Sequence, residues 1–455
     1  MNTTTESIPN DPDLQPVAAV LAGSCERIKK MPGNTLDAAR RTVLDTLGVA
    51  TAGAATQAGH ASRRAAVDIW HAGNATVWFS KERLAPAGAA FVNATYAAAL
   101  DLDDGHRQAS GHPAAAIVPA VIAVGEQIGA DASRLLTAVT LGYEVAVRIA
   151  AARDIRLLRT TDTGLWCGPG VAAAAGWLQE APSAVVAEAI AIAAHTSTSQ
   201  AATGWTKIGH TVKEGIPWAT ANGLQALTLA AAGHRGPVDI FDDPSLYDRR
   251  RLIDGFAARW AIERAYFKLY SCCRWAHAAI DAALILLKRS GIVPAMIDHV
   301  LVETFERALS LPNQSEPQSL EAAQYSIPFC VALASVHGAS SLLPMENRHL
   351  SDPRVTGLAR RVQLKYSPIY RDSFPAATPS RVTITAGGWS RTVEVLLPRG
   401  EPDNPLTSAD LQEKFMTLSA ALPREAQRLA LLEAARDLGT RQSSAHLYAA
   451  LRYPT

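Results

Sequence analysis

Nothing in the charge balance points to a polyanionic partner. The chain of 455 residues carries 43 Lys and Arg against 42 Asp and Glu, a net charge of +1. No field-driven case for nucleic acid or an anionic membrane follows, so any anion site has to be local. Cysteine is scarce as well. Five are present, Cys25, Cys167, Cys272, Cys273 and Cys330, with no zinc-ligand spacing and an odd count that argues against a disulfide framework. There is no GxGxxG after a strand and no Walker loop, which removes the usual nucleotide sites. Gly168-Pro169-Gly170 reads as a turn before small-residue contacts, not as a phosphate loop. Arg, Glu, His or Gly interrupts each apolar run before it reaches membrane-spanning length. The N-terminal stretch is polar and shows no basic-apolar-small signal pattern. No internal repeat is present. These absences together predict a soluble, cytoplasmic protein with no nucleic-acid and no membrane partner.

What is present is enough apolar material for a large core: 48% hydrophobic and 19% charged residues. Apolar residues recur at helical spacing from Val17 onward, with Thr35 as a candidate cap and Leu36, Ala39, Val43 and Leu47 on an inner face. Nearly everything from Ala114 to Ala232 reads as helix. The pattern then changes. Ile297–Thr304 and Arg361–Tyr366 alternate like strands, and Arg381–Thr385 with Thr392–Leu397 frames a hairpin around Gly387-Gly388. The fold class expected is mostly α. A large all-helical domain covers residues 1–265, with 405–455 returning to it, and a smaller α+β lid covers 266–404.

Chemistry concentrates between Ala97 and Gly125. Three carboxylates, Asp101, Asp103 and Asp104, precede His106, Arg107 and His112-Pro113, and an apolar helix follows. Asp101 ends an apolar run, so it must be paired or protonated. Asp103 reads as the solvent-facing member of the three. The proline after His112 disfavours helix there and puts the imidazole on a loop. Structural roles compete with each of these readings: a helix cap for the acids, a pair with Asp101 for Arg107, a satisfied core imidazole for His106. Lys268 lies in an apolar-aromatic setting, where a lysine is either a buried base or a snorkelling surface group. Arg148 suits an ion pair with Glu144 one helical turn earlier.

Several ordered segments resemble the MmgE/PrpD family. They are Gly73–Trp78 followed by Ala87–Thr95, Ala99–Asp104 with His112-Pro113, Gly142–Arg148, Asn222–Pro237, Phe267–His277, Ala323–Phe329 and Asn404-Pro405. The resemblance implies the helical domain and lid, a homodimer, and no metal or organic cofactor. It implies a small anionic carboxylate substrate and a site built from His112, Lys268, Asp101 and His277 as catalytic groups. His106, Asp104, Arg107, Thr161, Thr163, Lys207, Lys213, Tyr325 and Ser326 are the substrate-binding candidates, with Lys207 and Lys213 as alternatives for one family lysine. Two positions depart from the pattern: Ala98 and Thr161 stand where many members carry histidine. The expected reaction is removal or exchange of a proton alpha to a carboxylate. The Thr161 departure tilts it toward an iminodisuccinate-epimerase-like epimerisation. A lyase of the cis-aconitate decarboxylase or 2-methylcitrate dehydratase type is the alternative, and a non-catalytic carboxylate-binding scaffold is the reading from another class.

Overall fold

The computed structural model describes residues 15–158, 160–197 and 212–452. Among these residues the chain is mostly helical, and none of the helices is long and apolar enough to cross a membrane. The apolar side chains gather into two large clusters. One runs from Val17 to Phe267 and takes in Leu411, Phe415, Leu431 and Leu447 from the tail. The other holds side chains between Tyr270 and Ile384.

The first cluster is built from helices that approach closely because their contact faces carry small residues. Helix Cys167–Leu178 lies against Ala132–Ala151, and a Cβ added at Gly170 would sit 2.4 Å from the Gly142 carbonyl. Gly168-Pro169-Gly170 is therefore inside the helix, in its first turns, where the sequence suggested a turn before it. Asp131 caps Ala132–Ala151 by accepting the Arg134 amide at 2.8 Å. Thr35 is no cap: the helix Gly33–Gly53 begins before it, and its hydroxyl instead donates to Glu263. A short strand, Ala72–Thr76, pairs antiparallel with Arg83–Leu84.

The second cluster backs a four-stranded sheet in the order Val362–Tyr366, His299–Thr304, Ser380–Ala386, Trp389–Val395. The first pair is parallel and the others antiparallel, with Val302 opposite both Leu364 and Val382. Alternation puts Ser380, Val382, Ile384 and Ala386 on the buried face of their strand, where helix His277–Ser290 packs. The tail returns through helix Ser408–Ser419, opened by a reciprocal Thr407–Asp410 capping box, and lies on Gly33–Gly53. An antiparallel bridge ties Gly105 to Tyr266, two residues before Lys268: Gly105 donates to the Tyr266 carbonyl at 3.0 Å and Tyr266 to that of Gly105 at 2.8 Å.

Candidate active site

The acidic loop hangs between helices Pro86–Ala98 and Ala114–Ile128. Asp101 turns the chain in the left-handed region (φ 51°), which aspartate tolerates better than most residues. Asp104 then folds back under the second helix. Its Oδ1 accepts the Ala114 amide at 3.1 Å and its Oδ2 accepts the Tyr143 hydroxyl at 2.8 Å, so a buried carboxyl closes the helix N-terminus. Burial raises this carboxyl well above the ordinary carboxylate range. The Asp104 carbonyl accepts Nδ1 of His112 at 2.6 Å. A carbonyl only accepts, so Nδ1 holds the hydrogen and Nε2 is the nitrogen left for chemistry. From behind, Lys414 donates to the Leu102 carbonyl at 2.9 Å and to Asp45 at 2.6 Å. Burial moves both ends of that ion pair toward neutrality, Asp45 up and Lys414 down.

Asp101 is the hub. Its Oδ1 accepts Lys268 Nζ at 2.7 Å, lies 3.2 Å from Lys213 Nζ and 3.6 Å from His112 Nε2. Burial alone would raise this carboxyl, but the two ammonium groups outweigh it and hold Asp101 well below the ordinary range. Lys268 has no exposed surface. Burial lowers it, yet Asp101 and Asp103 prevail and keep it above its usual value. A buried lysine can lose its charge and act as a free base, but here it is a fixed cation. Lys213 also donates to Tyr325 Oη at 2.8 Å and to Gln324 Oε1 at 3.3 Å. Tyr325 in turn donates to Glu214 at 3.2 Å. Glu214 lies 3.7 Å from His112 Nε2 and accepts both the hydroxyl (2.8 Å) and the amide (3.2 Å) of Thr163.

Asp101, His112, Lys268, Lys213, Thr163 and Tyr325 therefore converge on one place. Other candidates stand elsewhere. Asp103 is buried, contrary to its expected solvent exposure, and neither of its oxygens has a hydrogen-bond partner among the described residues. Burial raises its pKa. His106 is buried edge-on to Tyr143, and burial together with the Arg264 charge holds it down to about 4, so it is neutral at physiological pH. Arg107 pairs with Glu401 in place of Asp101 and donates to Thr378 at 3.1 Å. Arg148 makes its expected pair with Glu144 at 2.6 Å. Ser326 caps helix Ile327–His337, accepting the Phe329 amide at 3.2 Å, and its hydroxyl is spent on the Gln314 carbonyl.

His277 belongs to a second network. Its Nδ1 accepts from Arg274 at 2.9 Å, and its Nε2 is 3.3 Å from the Cys272 carbonyl. Burial and the Arg274 charge press its pKa well below the usual value. A neutral ring whose two nitrogens are both engaged holds Arg274 in place but has no nitrogen to offer a substrate. Arg274 also binds Glu401, at 2.7 Å, so Glu401 ties Arg107 to Arg274 across the joint between the two apolar clusters. Lys207, and with it the Lys207–His210 spacing, lies outside the described residues.

A narrow cleft opens beside these groups. His106, Arg107, His112, Thr161 and Glu214 line one wall, and Tyr266, Cys273, Arg274 and Phe374 the other. Sequence reasoning missed Glu214 and Gln324. For Glu214 the available signal was the Lys213-Glu214-Gly215 run just before the Ile216–Ala231 helix; Gln324 gave none.

Asp101, Asp103 and His112 offer ligand atoms within 4.8 Å of one another, the spacing a metal ion would need. Lys268 and Lys213 already supply the positive charge there, however, and a divalent ion would have to stand against two ammonium groups. The donor set suits an internally neutralised acid better than a metal. Its chemistry is that of a proton relay facing an anion: one imidazole nitrogen free, fixed cations behind it, and hydroxyls from Thr163 and Tyr325.

The MmgE/PrpD N-terminal domain matches residues 24–255, and the MmgE/PrpD C-terminal domain matches residues 270–438. The chain is also similar to three proteins named cis-aconitate decarboxylase. The one from Aspergillus terreus (strain NIH 2624 / FGSC A1156) is 24% identical over 437 residues, covering 87% of each chain. The Homo sapiens protein is 25% identical over 416 residues, 86% of this chain and 84% of the relative. The Mus musculus protein is 26% identical over 423 residues, 86% and 83% respectively.

Proposed function

This chain belongs to the MmgE/PrpD family, and from that premise we propose that it is a lyase that decarboxylates a small unsaturated di- or tricarboxylate of the cis-aconitate kind. The observation that carries the reading is the Asp101 hub. A buried carboxylate held by two lysines stands 3.6 Å from Nε2 of His112, an imidazole that lines the cleft. The relatives' names favour this over the epimerisation toward which the sequence leaned.

The steps follow from charge. Loss of carbon dioxide breaks a carbon–carbon bond and leaves its electron pair on carbon, spread onto the neighbouring carboxylate. Lys213, fixed by Tyr325 and Gln324, and Lys268 behind Asp101 stabilise that charge. His112 Nε2, protonated between Asp101 and Glu214, delivers the proton to carbon, and solvent restores it. Asp101 keeps the ammonium groups in position. Arg107 and Arg274 line the cleft and add to its positive potential.

The Thr161 departure keeps epimerisation as a second reading, since it replaces a histidine that relatives use. Both are tested by incubating the protein with cis-aconitate in D2O. Release of carbon dioxide with one deuterium on the product carbon supports the lyase. Exchange and inversion of an aspartate-derived diacid without loss of mass, and no release from cis-aconitate, would transfer the assignment to the epimerase. The homodimer belongs to the same proposal, and sedimentation at micromolar concentration tests it.

A further inference from the structure

Glu214 is anomalous in a cleft meant for anions. It is a carboxylate on the wall where a carboxylate ligand has to sit. Both of its oxygens are held as a bound ligand's would be. Oε2 accepts the Thr163 amide and hydroxyl at 3.2 and 2.8 Å, and Oε1 accepts the Tyr325 hydroxyl at 3.2 Å and faces His112 Nε2 at 3.7 Å. Its side chain keeps only 5% of its surface exposed. The backbone that delivers it is unusual as well. Lys213, Glu214 and Gly215 are all left-handed, with φ of 41°, 54° and 67°. Only glycine adopts that region freely, and each non-glycine residue held there costs on the order of 1 kcal/mol or more.

We propose that the Thr163–Tyr325–His112 cradle is a carboxylate-binding subsite, and that Glu214 fills it as an internal surrogate which an incoming substrate carboxylate must displace. The inference rests on the proposed action on small carboxylates and adds a residue that sets how tightly they bind. The donors suit the role: one backbone amide and two hydroxyls serve either carboxylate without rearranging. Lys213 is the residue before Glu214, so a ligand that takes the surrogate's place meets an ammonium already anchored on Asp101 and Tyr325. Release of the left-handed turn helps the exchange. The occupied cradle also excludes ligands that bring no carboxylate to exchange.

The test is calorimetric titration with tricarballylate, a tricarboxylate that has no double bond to react, against the wild type, Glu214→Ala, Glu214→Gln and Glu214→Ala/Thr163→Val. Removing a competitor held by charge-assisted hydrogen bonds predicts binding about tenfold tighter in Glu214→Ala. Glu214→Gln keeps the shape and loses the charge, so it gains less, about threefold, and serves as the readout if the alanine variant does not fold. Adding Thr163→Val removes the gain. Equal or weaker binding by both single variants, with a wild type that binds, overturns the surrogate and leaves the lyase reading standing. So does a fall in kcat on cis-aconitate of about a hundredfold with unchanged tricarballylate affinity, which would make Glu214 a reacting group. If neither the wild type nor any variant binds tricarballylate, the subsite and the carboxylate reading fall together.

Discussion

Replacing Lys268 by methionine removes a cation with no exposed surface and leaves Asp101 with Lys213 at 3.2 Å and His112 at 3.6 Å. Two unit charges 2.7 Å apart attract by about 6 kcal/mol at an effective dielectric of about 20. Part of this is returned, because the lysine no longer has to be desolvated. Breaking a buried pair from one side typically costs about 3–5 kcal/mol. The remaining Lys213 places the expected loss near the lower end, about 3 kcal/mol at pH 7.

The pH dependence separates this account from simple loss of volume. Asp101 is depressed in the folded state, so its contribution is complete above its unfolded value of about 3.9 and is lost as pH falls through the folded value. Lys268 is raised, so its contribution is complete below about 10.4 and is lost as pH rises through the folded value. In the variant Lys213 alone holds Asp101 down against its burial, so less of that contribution remains for acid to remove. Urea unfolding followed by tryptophan fluorescence should show the wild-type advantage at pH 7 and a clearly smaller one below about pH 3. An advantage that is the same at both pH values would mean that Lys268 acts by filling space, and the charge account of the hub would be wrong.

Other outcomes follow from the same geometry. His112→Ala and Asp101→Asn should each lower kcat/KM for cis-aconitate decarboxylation by at least about a hundredfold, measured by carbon dioxide release; activity within a few-fold of wild type in either would remove that residue from the relay. Ser326→Ala should lose a helix cap, about 1 kcal/mol in urea unfolding, with little change in KM, which separates its role from the substrate contact expected of it. Gly105→Ala would put a Cβ 2.2 Å from the Tyr266 ring, and it should lower both the melting temperature and kcat/KM because the bridge between the acidic loop and Tyr266 has to move. Glu401→Gln should weaken the tie between Arg107 and Arg274. Burial raises Glu401, but the two arginines outweigh it and depress it, so the wild-type advantage should be full above about pH 4.3 and fade as pH falls below it.

Much of this was readable before any coordinates. The helical half, the hairpin and the return of the tail followed from apolar periodicity, which reports burial directly. Asp101, His112 and Lys268 stood out because charged groups next to apolar runs need partners. What failed depends on three-dimensional neighbours. Asp103 looked like a surface acid because the segment is polar in sequence, yet both flanks of the loop are covered. His277 seemed equivalent to His112, but Arg274 three residues earlier takes up its ring. Arg107 was open to pairing with Asp101; its real partner, Glu401, is nearly three hundred residues away. Glu214 offered only its place before the Ile216–Ala231 helix, because a left-handed turn at three successive residues, two of them not glycine, is no sequence rule.

The Lys414 contact has a consequence for how the protein is made. Its ammonium links Asp45, 369 residues earlier, to the Leu102 carbonyl, 312 residues earlier, beside the acid that organises the site. The helices around that loop can form while the chain is still being synthesised. The loop's rear support arrives only when the Ser408–Ser419 helix has left the ribosome. Contacts this far apart close late, so a chain interrupted before Lys414 would own every relay residue and still hold them on an unbraced loop. Competence would then be gained in one late step, when Lys414 docks on Asp45 and the loop.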